Sequence, residues 1–252
     1  MASTADSDSR SLKDLLYQTV QLHGAAEAVV VPGDGAAAFS VTHAELWQLA
    51  GAVAQQLGSP RLQQRAVALV APNGLAFVAA FLGITYARAI AAPLNAAYTE
   101  DEFGFYLRDL DAALVLLDGS LAAEHPARAA AAQLSLPVWT LTTDAALRSV
   151  SLTRGSGHEE FGAGEAEAQA PTSDDVALFL HTSGTTSRPK GVPLSHANLV
   201  ASTLNIADTY HLQHTDRSYI VMPLFHVHGL IGTQREDRKS TRLNSSHGYI
   251  SY

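Results

Sequence analysis

Apolar residues recur three and four positions apart in several segments, and three of these segments begin with a capping signature. In this signature a serine or threonine is followed three residues later by an acidic residue, and each side chain bonds the other residue's backbone N–H. It occurs at Ser11 with Asp14, Thr42 with Glu45, and Thr99 with Glu102. The pattern predicts three amphipathic helices. We expect the first to end at Gly24, and the second to end at Gly58 with a left-handed C-terminal cap.

Short, continuous apolar runs alternate with the helical segments. Four runs predict strands: AVALV at 66–70, ALVLLD at 113–118, PVWTLTT at 137–143 and DVALFL at 175–180. Further helical patterns cover 75–87, 121–135 and 196–210, and Ser195 caps the last of these. Strands that alternate with helices predict an α/β fold of mostly parallel sheets covered by helices.

Composition narrows the classes of function. The 252 residues are 47% hydrophobic and 16% charged, which excludes disorder throughout the chain. The net charge of −8 gives no electrostatic basis for binding nucleic acid or an anionic membrane, so the expected partner is a small molecule. The sequence has no cysteine, which excludes disulfides and thiolate metal sites. The polar N-terminus and the interrupted apolar stretch at 67–93 predict a cytoplasmic protein without a transmembrane span.

Candidate chemistry lies in the segment HTSGTTSRPKG at 181–191, directly after the last predicted strand. A strand, a loop rich in glycine and hydroxyl groups, a lysine and then a helix form an arrangement that holds phosphates. Backbone N–H groups and hydroxyls donate to phosphate oxygens, and the lysine adds a compact positive charge. The segment is not a Walker loop, because Gly191 stands where a Mg²⁺-binding hydroxyl is required. The alternative interpretation is a flexible polar surface loop.

Two motifs together resemble those of the adenylate-forming enzymes, which include acyl-CoA synthetases. These motifs are TSGTTSRPKGV at 182–192 and PLFHVHGL at 223–230, and the resemblance extends from Leu12 to Gly232. It implies the N-terminal part of the adenylate-forming fold. The implied reaction is ATP-dependent activation of a small carboxylic acid to an acyl-adenylate, which the thiol of coenzyme A then captures. The implied cofactors are ATP, Mg²⁺ arriving with ATP, and coenzyme A.

The same resemblance assigns roles to individual residues. Lys190 would neutralise the β- and γ-phosphate charge as the catalytic cation. His226 would line the carboxylate pocket, with His228 flanking it. The residues that would wrap the phosphates are Thr182, Ser183, Gly184, Thr185 and Thr186. Two other interpretations of the histidines stay open, namely a core histidine at 226 and a metal-binding His-x-His pair.

The motifs depart from the commonest family pattern at Ser187 and Arg188, where glycine and a variable residue are usual. The combination SGTTSRPKGVPLS with PLFHVHGL is similar to the oxalate–CoA ligase branch of the family. A small polar diacid would suit a pocket flanked by two histidines better than a fatty chain would. The alternatives are a 4-coumarate or medium-chain acyl-CoA ligase and a non-catalytic nucleotide-binding scaffold.

The character of the chain changes after Gly232. The segment DRKSTRLNSSH at 237–247 resembles the conceptual translation of a short-read sequencing adapter. We therefore expect residues 1–236 to be a truncated N-terminal AMP-binding domain and 237–252 to be a non-native tail. Such a fragment would lack the later catalytic motifs and be inactive alone, and the alternative is that it does not fold stably. Because its native C-terminus would be missing, a C-terminal peroxisomal address stays open beside the cytoplasmic prediction. Within 1–236, the Gly-, Ala- and acid-rich stretch 154–175 predicts a flexible loop.

Overall fold

The structure of the chain is a computed structural model that describes residues 10–31, 38–144, 148–155, 169–182, 189–220, 222–230 and 249–251. In these ranges the chain forms seven α-helices, eleven strands and a 3₁₀ turn at Pro60–Leu62. The helices are α1 (Leu12–His23), α2 (His43–Gln56), α3 (Leu75–Tyr86), α4 (Glu100–Asp109), α5 (Pro126–Gln133), α6 (His196–Thr209) and α7 (Val227–Leu230). The strands are β1 (Glu27–Val31), β2 (Phe39–Thr42), β3 (Ala66–Val70), β4 (Ile90–Pro93), β5 (Leu114–Asp118), β6 (Val138–Asp144), β7 (Ser149–Arg154), β8 (Val176–Thr182), β9 (Lys190–Ser195), β10 (Arg217–Tyr219) and β11 (Tyr249–Ser251).

Seven strands form the central sheet, in the order β7-β6-β5-β3-β4-β8-β9. The inner strands β6, β5, β3, β4 and β8 are parallel to one another, whereas β7 and β9 pair antiparallel at the two ends. The predicted mostly parallel α/β fold is therefore confirmed. A second, antiparallel sheet of order β10-β11-β1-β2 was not predicted, because its strands are short and carry weak alternation.

Alternate residues of the central strands belong to two hydrophobic cores, one on each face of the sheet. On β3, for example, Val67 and Leu69 belong to the core formed with α1, α2, α3 and α6. Ala66, Ala68 and Val70 belong to the opposite core, formed with α4 and α5. Successive side chains of a strand point to opposite faces, so a strand buried on both faces has no polar alternation. This explains why AVALV is apolar throughout.

The predicted helix starts are confirmed, but one predicted helix end is wrong. Ser11, Thr42 and Thr99 each cap their helix in a capping box. Gly58 does not adopt the left-handed conformation that the sequence predicted. Instead α2 ends at Leu57, whose N–H donates to the carbonyls of Val53 and Gln55. Because this tightened last turn already satisfies the terminal carbonyls, no left-handed glycine is needed.

The region after β8 also differs from the prediction. The phosphate-loop motif does not run directly into a helix, because Lys190 begins the additional strand β9, which pairs antiparallel with β8 before Ser195 caps α6. The arrangement is strand, loop, strand, helix. The signal for β9 was weak, since KGVPLS contains both glycine and proline, which are uncommon inside strands.

Two further predictions concern the loop 154–175 and the tail 237–252. Arg154 ends β7, residues 156–168 lie outside the described residues, and the description resumes at Gln169. In the tail, Tyr249–Ser251 forms β11 between β1 and β10. Strand pairing uses backbone groups that every sequence carries, so this pairing is independent of the tail's origin. The adapter origin stays a prediction, which a transcript read across the codon for Gly232 tests.

An ion pair fixes the start of β8. Arg88, in the turn between α3 and β4, places Nε 2.8 Å from Oδ2 of Asp175 and Nη2 3.2 Å from Oδ1. Burial disfavours ionisation of Asp175, but hydrogen bonds from Arg88 and from the Thr172 N–H outweigh it and hold the pKa of this carboxyl below its usual value. The ionised Asp175 therefore ties the segment before β8 to the α3–β4 turn.

Substitutions at Arg88 test this contact and its backbone together. The residue has a left-handed backbone with φ of 61°, which suits glycine better than alanine. We expect Arg88→Ala to lower the free energy of unfolding by about 2 kcal/mol, because a bidentate charge-assisted contact is lost. Arg88→Gly loses the same contact but relieves roughly 1 kcal/mol of backbone strain, so it should be the more stable variant. Urea unfolding at pH 7 measures both, and a more stable alanine variant would contradict the strain argument.

Within the described ranges, no helix is both long enough and apolar enough to span a bilayer.

Candidate functional site

The carboxyl ends of the parallel strands collect polar residues at one edge of the central sheet. Asn73 follows β3, Asn95 follows β4, Asp118 ends β5 and Thr182 ends β8. In open α/β sheets, ligands bind in the crevice beyond this edge. The sequence-predicted phosphate loop leaves the sheet there, so the topology places the candidate site at this edge.

The ends of the phosphate loop are held together by the β8–β9 hairpin. Thr182 and Lys190 are direct partners across the two strands, and the Thr182 hydroxyl donates to the Lys190 carbonyl over 3.4 Å. Both residues are exposed. Ser183, Gly184, Thr185 and Thr186 fall outside the described residues, as do Ser187 and Arg188. The structure therefore brings together two of the predicted phosphate-binding residues, at the stem of the loop.

The residues at this stem fit an anionic ligand. The Lys190 side chain is exposed, and no carboxylate in the described part of the chain pairs with it. An ammonium group in this state offers its full charge to a phosphate. The Thr182 hydroxyl can turn its single proton from the Lys190 carbonyl, 3.4 Å away, to a phosphate oxygen. The stem can thus hold a polyphosphate by charge and hydrogen bonding.

Gly191 beside Lys190 leaves room for the ring of a residue on the neighbouring strand. A Cβ atom at this position would lie 2.5 Å from Cζ of Phe179, on the neighbouring strand. Sequence reasoning noted Gly191 only as the residue that rules out a Walker loop. In the structure, Gly191 also has a packing role. Because it has no side chain, the Phe179 ring can lie against β9 where this strand pairs with β8 next to Lys190.

A side-chain contact between β8 and α4 holds the hairpin against the helix, and it was not predicted from the sequence. His181, one residue before Thr182, brings Nε2 to within 2.9 Å of Oδ2 of Asp109 at the end of α4. The His181 side chain is only 6% exposed, and its ring meets Tyr106 edge to face at 4.7 Å. Tyr106 also stacks on Tyr98 at 4.8 Å, and burial together with the hydrogen bond to Tyr106 raises the pKa of Tyr98. The base of the loop therefore rests on an aromatic cluster.

His226 lies on a separate segment that returns to the same sheet edge. Its ring is exposed and packs against Phe225 at 4.4 Å, and its backbone N–H donates to the Pro223 carbonyl over 3.1 Å. The interpretation of His226 as a buried core histidine is therefore wrong. His228 lies in the short helix α7, and its side chain falls outside the described residues. Among the residues that the structure describes, no three acidic or histidine side chains are grouped to hold a metal ion.

A second residue that sequence reasoning missed is Asn73, which was treated only as part of a Pro-Asn-Gly turn. Its side chain accepts from the Leu224 N–H over 2.9 Å and donates to the Met222 carbonyl over 3.1 Å. The available signal was its position at the carboxyl end of a buried parallel strand, where site residues concentrate. The contact itself joins residues 151 and 149 positions apart and has no local signature.

Comparisons with known proteins agree with this geometry. A family model described as AMP-binding enzyme matches residues 16–234. The chain is 42% identical over 226 residues to an oxalate–CoA ligase of Arabidopsis thaliana, covering 89% of this chain and 42% of that protein. It is 39% identical over 230 residues to an oxalate–CoA ligase of Saccharomyces cerevisiae, covering 81% of this chain and 42% of that protein. The chain thus spans 42% of the length of both curated relatives.

Solved structures show the same fold. The crystal structure of ATP-bound MatB from Rhodopseudomonas palustris superposes with a TM-score of 0.68 at 28% identity. The match covers 88% of this chain and 42% of that chain. The matched family region, residues 16–234, contains both the β8–β9 hairpin and the segment that carries His226.

Proposed function

The chain belongs to the family of AMP-binding enzymes, and we propose that it contributes the phosphate-binding part of a carboxylate–CoA ligase that acts on oxalate. The observation that carries this proposal is the pairing of Thr182 with Lys190 at the carboxyl edge of the sheet. This pairing places a hydroxyl donor and an ammonium group at the two ends of one glycine-containing loop. The family to which the chain belongs and the names of its relatives support the same activity.

In the proposed reaction, a carboxylate oxygen of the acid attacks the α-phosphorus of ATP, and pyrophosphate leaves. The thiol of coenzyme A then attacks the acyl carbon, the thioester forms, and AMP leaves. The protein's part in the first step is positioning and charge stabilisation. Lys190 neutralises β- and γ-phosphate charge, and Thr182 donates its hydroxyl to a phosphate oxygen. Ser183, Gly184, Thr185 and Thr186 supply further N–H and hydroxyl donors, and Mg²⁺ enters with ATP.

His226 and His228 carry the proposed choice of substrate. Oxalate is a small dianion without an apolar tail, so its recognition needs hydrogen-bond donors rather than an apolar pocket. The exposed His226 ring can donate a hydrogen bond to a carboxylate. A site that hydrogen-bonds the second carboxylate of oxalate discriminates against acids that lack it, because the site's polar groups would otherwise be left unpaired.

Pyrophosphate release tests this proposal. The protein expressed from the gene's complete reading frame is assayed with ATP, Mg²⁺ and coenzyme A, and with oxalate, 4-coumarate or hexanoate as the acid. We expect kcat/KM for oxalate to exceed that for either other acid by at least about 100-fold, because each lacks a second carboxylate for the site to bind. A higher value for 4-coumarate or hexanoate would overturn the substrate assignment. ATP binding without pyrophosphate release from any acid would favour the nucleotide-binding scaffold.

A further inference from the structure

The side chain of Asn73 is a bidentate connection between two distant parts of the chain. Its amide oxygen accepts from the Leu224 N–H over 2.9 Å, and its amide nitrogen donates to the Met222 carbonyl over 3.1 Å. Only one orientation of the amide satisfies both contacts, since a flipped group would face donor with donor and acceptor with acceptor. The pair of bonds therefore sets both the distance and the angle between the end of β3 and the segment 222–224.

The base of this connection is rigid. All five residues of β3 are buried, so the strand cannot shift without disturbing both hydrophobic cores. Gly74 follows Asn73 with φ of 157° and ψ of −176°, a conformation that essentially only glycine adopts. The next residue begins α3. The backbone of Asn73 is thus held in place between a buried strand and a buried helix.

The other end of the connection carries His226. Leu224 is 2% exposed and anchors its segment in the core, whereas the preceding Met222 is 42% exposed. From there the backbone folds tightly, because the His226 N–H donates to the Pro223 carbonyl and the Leu230 N–H donates to the His226 carbonyl. A side chain at Gly229 would collide with the Pro223 carbonyl oxygen. A displacement at 222–224 is therefore passed on to His226 rather than absorbed between them.

We propose that Asn73 is a positioning residue, which holds His226 at the place where the carboxylate substrate binds. This inference rests on the proposed function, because it gives Asn73 a role in that same substrate site. Asn73 acts through the backbone of 222–224 and does not contact substrate itself. Its loss should therefore weaken use of the acid selectively and leave the Thr182–Lys190 stem unaffected.

The chain provides a matched control in Asn95, which occupies the corresponding place after β4. Its side-chain oxygen accepts only a local bond, from the Ala97 N–H over 2.9 Å, among the contacts of the described residues. Asn73→Ala removes both long-range bonds, whereas Asn73→Asp retains the acceptor for the Leu224 N–H. Asn95→Ala removes an asparagine of the same sheet edge without touching 222–224. The first variant releases this segment, whereas the third does not.

Two measurements decide the inference. In the 252-residue chain, amide hydrogen exchange at Leu224 and His226 should accelerate at least about tenfold in Asn73→Ala and should not change in Asn95→Ala. It should also accelerate in Asn73→Asp, because a carboxylate oxygen then faces the Met222 carbonyl oxygen. In the complete enzyme, Asn73→Ala should raise KM for oxalate about tenfold or more, with an unchanged Kd for ATP. A merely structural role would instead weaken ATP and oxalate together.

The possible failures are distinguishable. If wild-type enzyme releases no pyrophosphate with oxalate, the proposed function fails, and the exchange data alone decide whether Asn73 holds the His226 segment. Unchanged exchange at Leu224 and His226 in Asn73→Ala would overturn the inference. So would accelerated exchange with an unchanged KM for oxalate. If Asn73→Ala does not fold, the same measurements on Asn73→Asp, compared with wild type, test the loss of the bond to the Met222 carbonyl.

Discussion

Replacing Lys190 with alanine is expected to weaken ATP binding about 100-fold, equivalent to about 2.7 kcal/mol. The reason is that a charge-assisted contact with phosphate is lost, and contacts of this kind are worth roughly 1.5–3 kcal/mol. Stability should be unaffected, because Lys190 is exposed and β9 is held by backbone bonds to β8. Isothermal titration of the chain with ATP and Mg²⁺ measures the affinity, and thermal melting measures stability.

Two control variants separate the role of Lys190 from the loss of any positive charge. Lys13→Ala removes a lysine from α1, far from the hairpin in sequence, and should leave ATP affinity unchanged. Lys190→Arg retains the charge but replaces a compact ammonium with a planar fork, so it should recover only part of the affinity. If Lys190→Ala changes Kd less than about threefold, the charge of Lys190 is not part of the site. Equal losses in Lys13→Ala and Lys190→Ala would indicate a general electrostatic effect.

Acidification from pH 7 to pH 4 is expected to lower the free energy of unfolding by about 3 kcal/mol through His196 alone. His196 is fully buried at the start of α6, and its Nδ1 accepts a hydrogen bond from the Leu12 N–H over 3.1 Å. Burial lowers the pKa of His196 to about 4, although Asp175 and Asp14 act in the opposite direction. Protonation at Nδ1 would also replace the acceptor for Leu12 with a second donor.

The direction of this effect follows from which state binds the proton. The unfolded chain protonates His196 near its ordinary value of 6.5, whereas the folded chain stays neutral until about pH 4. Between these values unfolding takes up a proton, so stability falls by about 1.4 kcal/mol for each pH unit. Above pH 6.5 and below pH 4 the contribution of His196 is constant. Burial also lowers the pKa of His43, which adds to the loss in the same direction.

The variant His196→Gln tests this assignment. Glutamine has an oxygen that can accept from the Leu12 N–H, but it does not titrate in this range. We expect the variant to be less stable than wild type at pH 7 and to have a shallower dependence of stability on pH between 7 and 4. Urea unfolding at half-unit pH steps gives the curves, and identical slopes for wild type and His196→Gln would contradict the assignment.

The candidate site was predictable only in part. The loop motif identified Thr182 and Lys190 as candidate phosphate-binding residues, because the residues of such a loop are neighbours in sequence. It did not predict that the two would be direct partners across a hairpin. The residues that support this pair were not predictable from pattern. His181 finds its partner Asp109 across 72 positions, and Asn73 finds Leu224 across 151 positions. Contacts between residues so far apart along the chain leave no periodicity or composition in the sequence from which they could be predicted.

The helix starts, the buried strands and the family could be predicted from the sequence alone. Capping boxes act across three residues, and a strand buried on both faces must be apolar throughout, so both are local properties. Three features became visible only in the folded chain. These are the pairing of β9 with β8, the end of α2 without a left-handed glycine at Gly58, and the left-handed backbone of Arg88. These features depend on which surfaces meet after folding. A polar edge strand or a strained turn is stabilised by its neighbours in space, and those neighbours are distant in the chain.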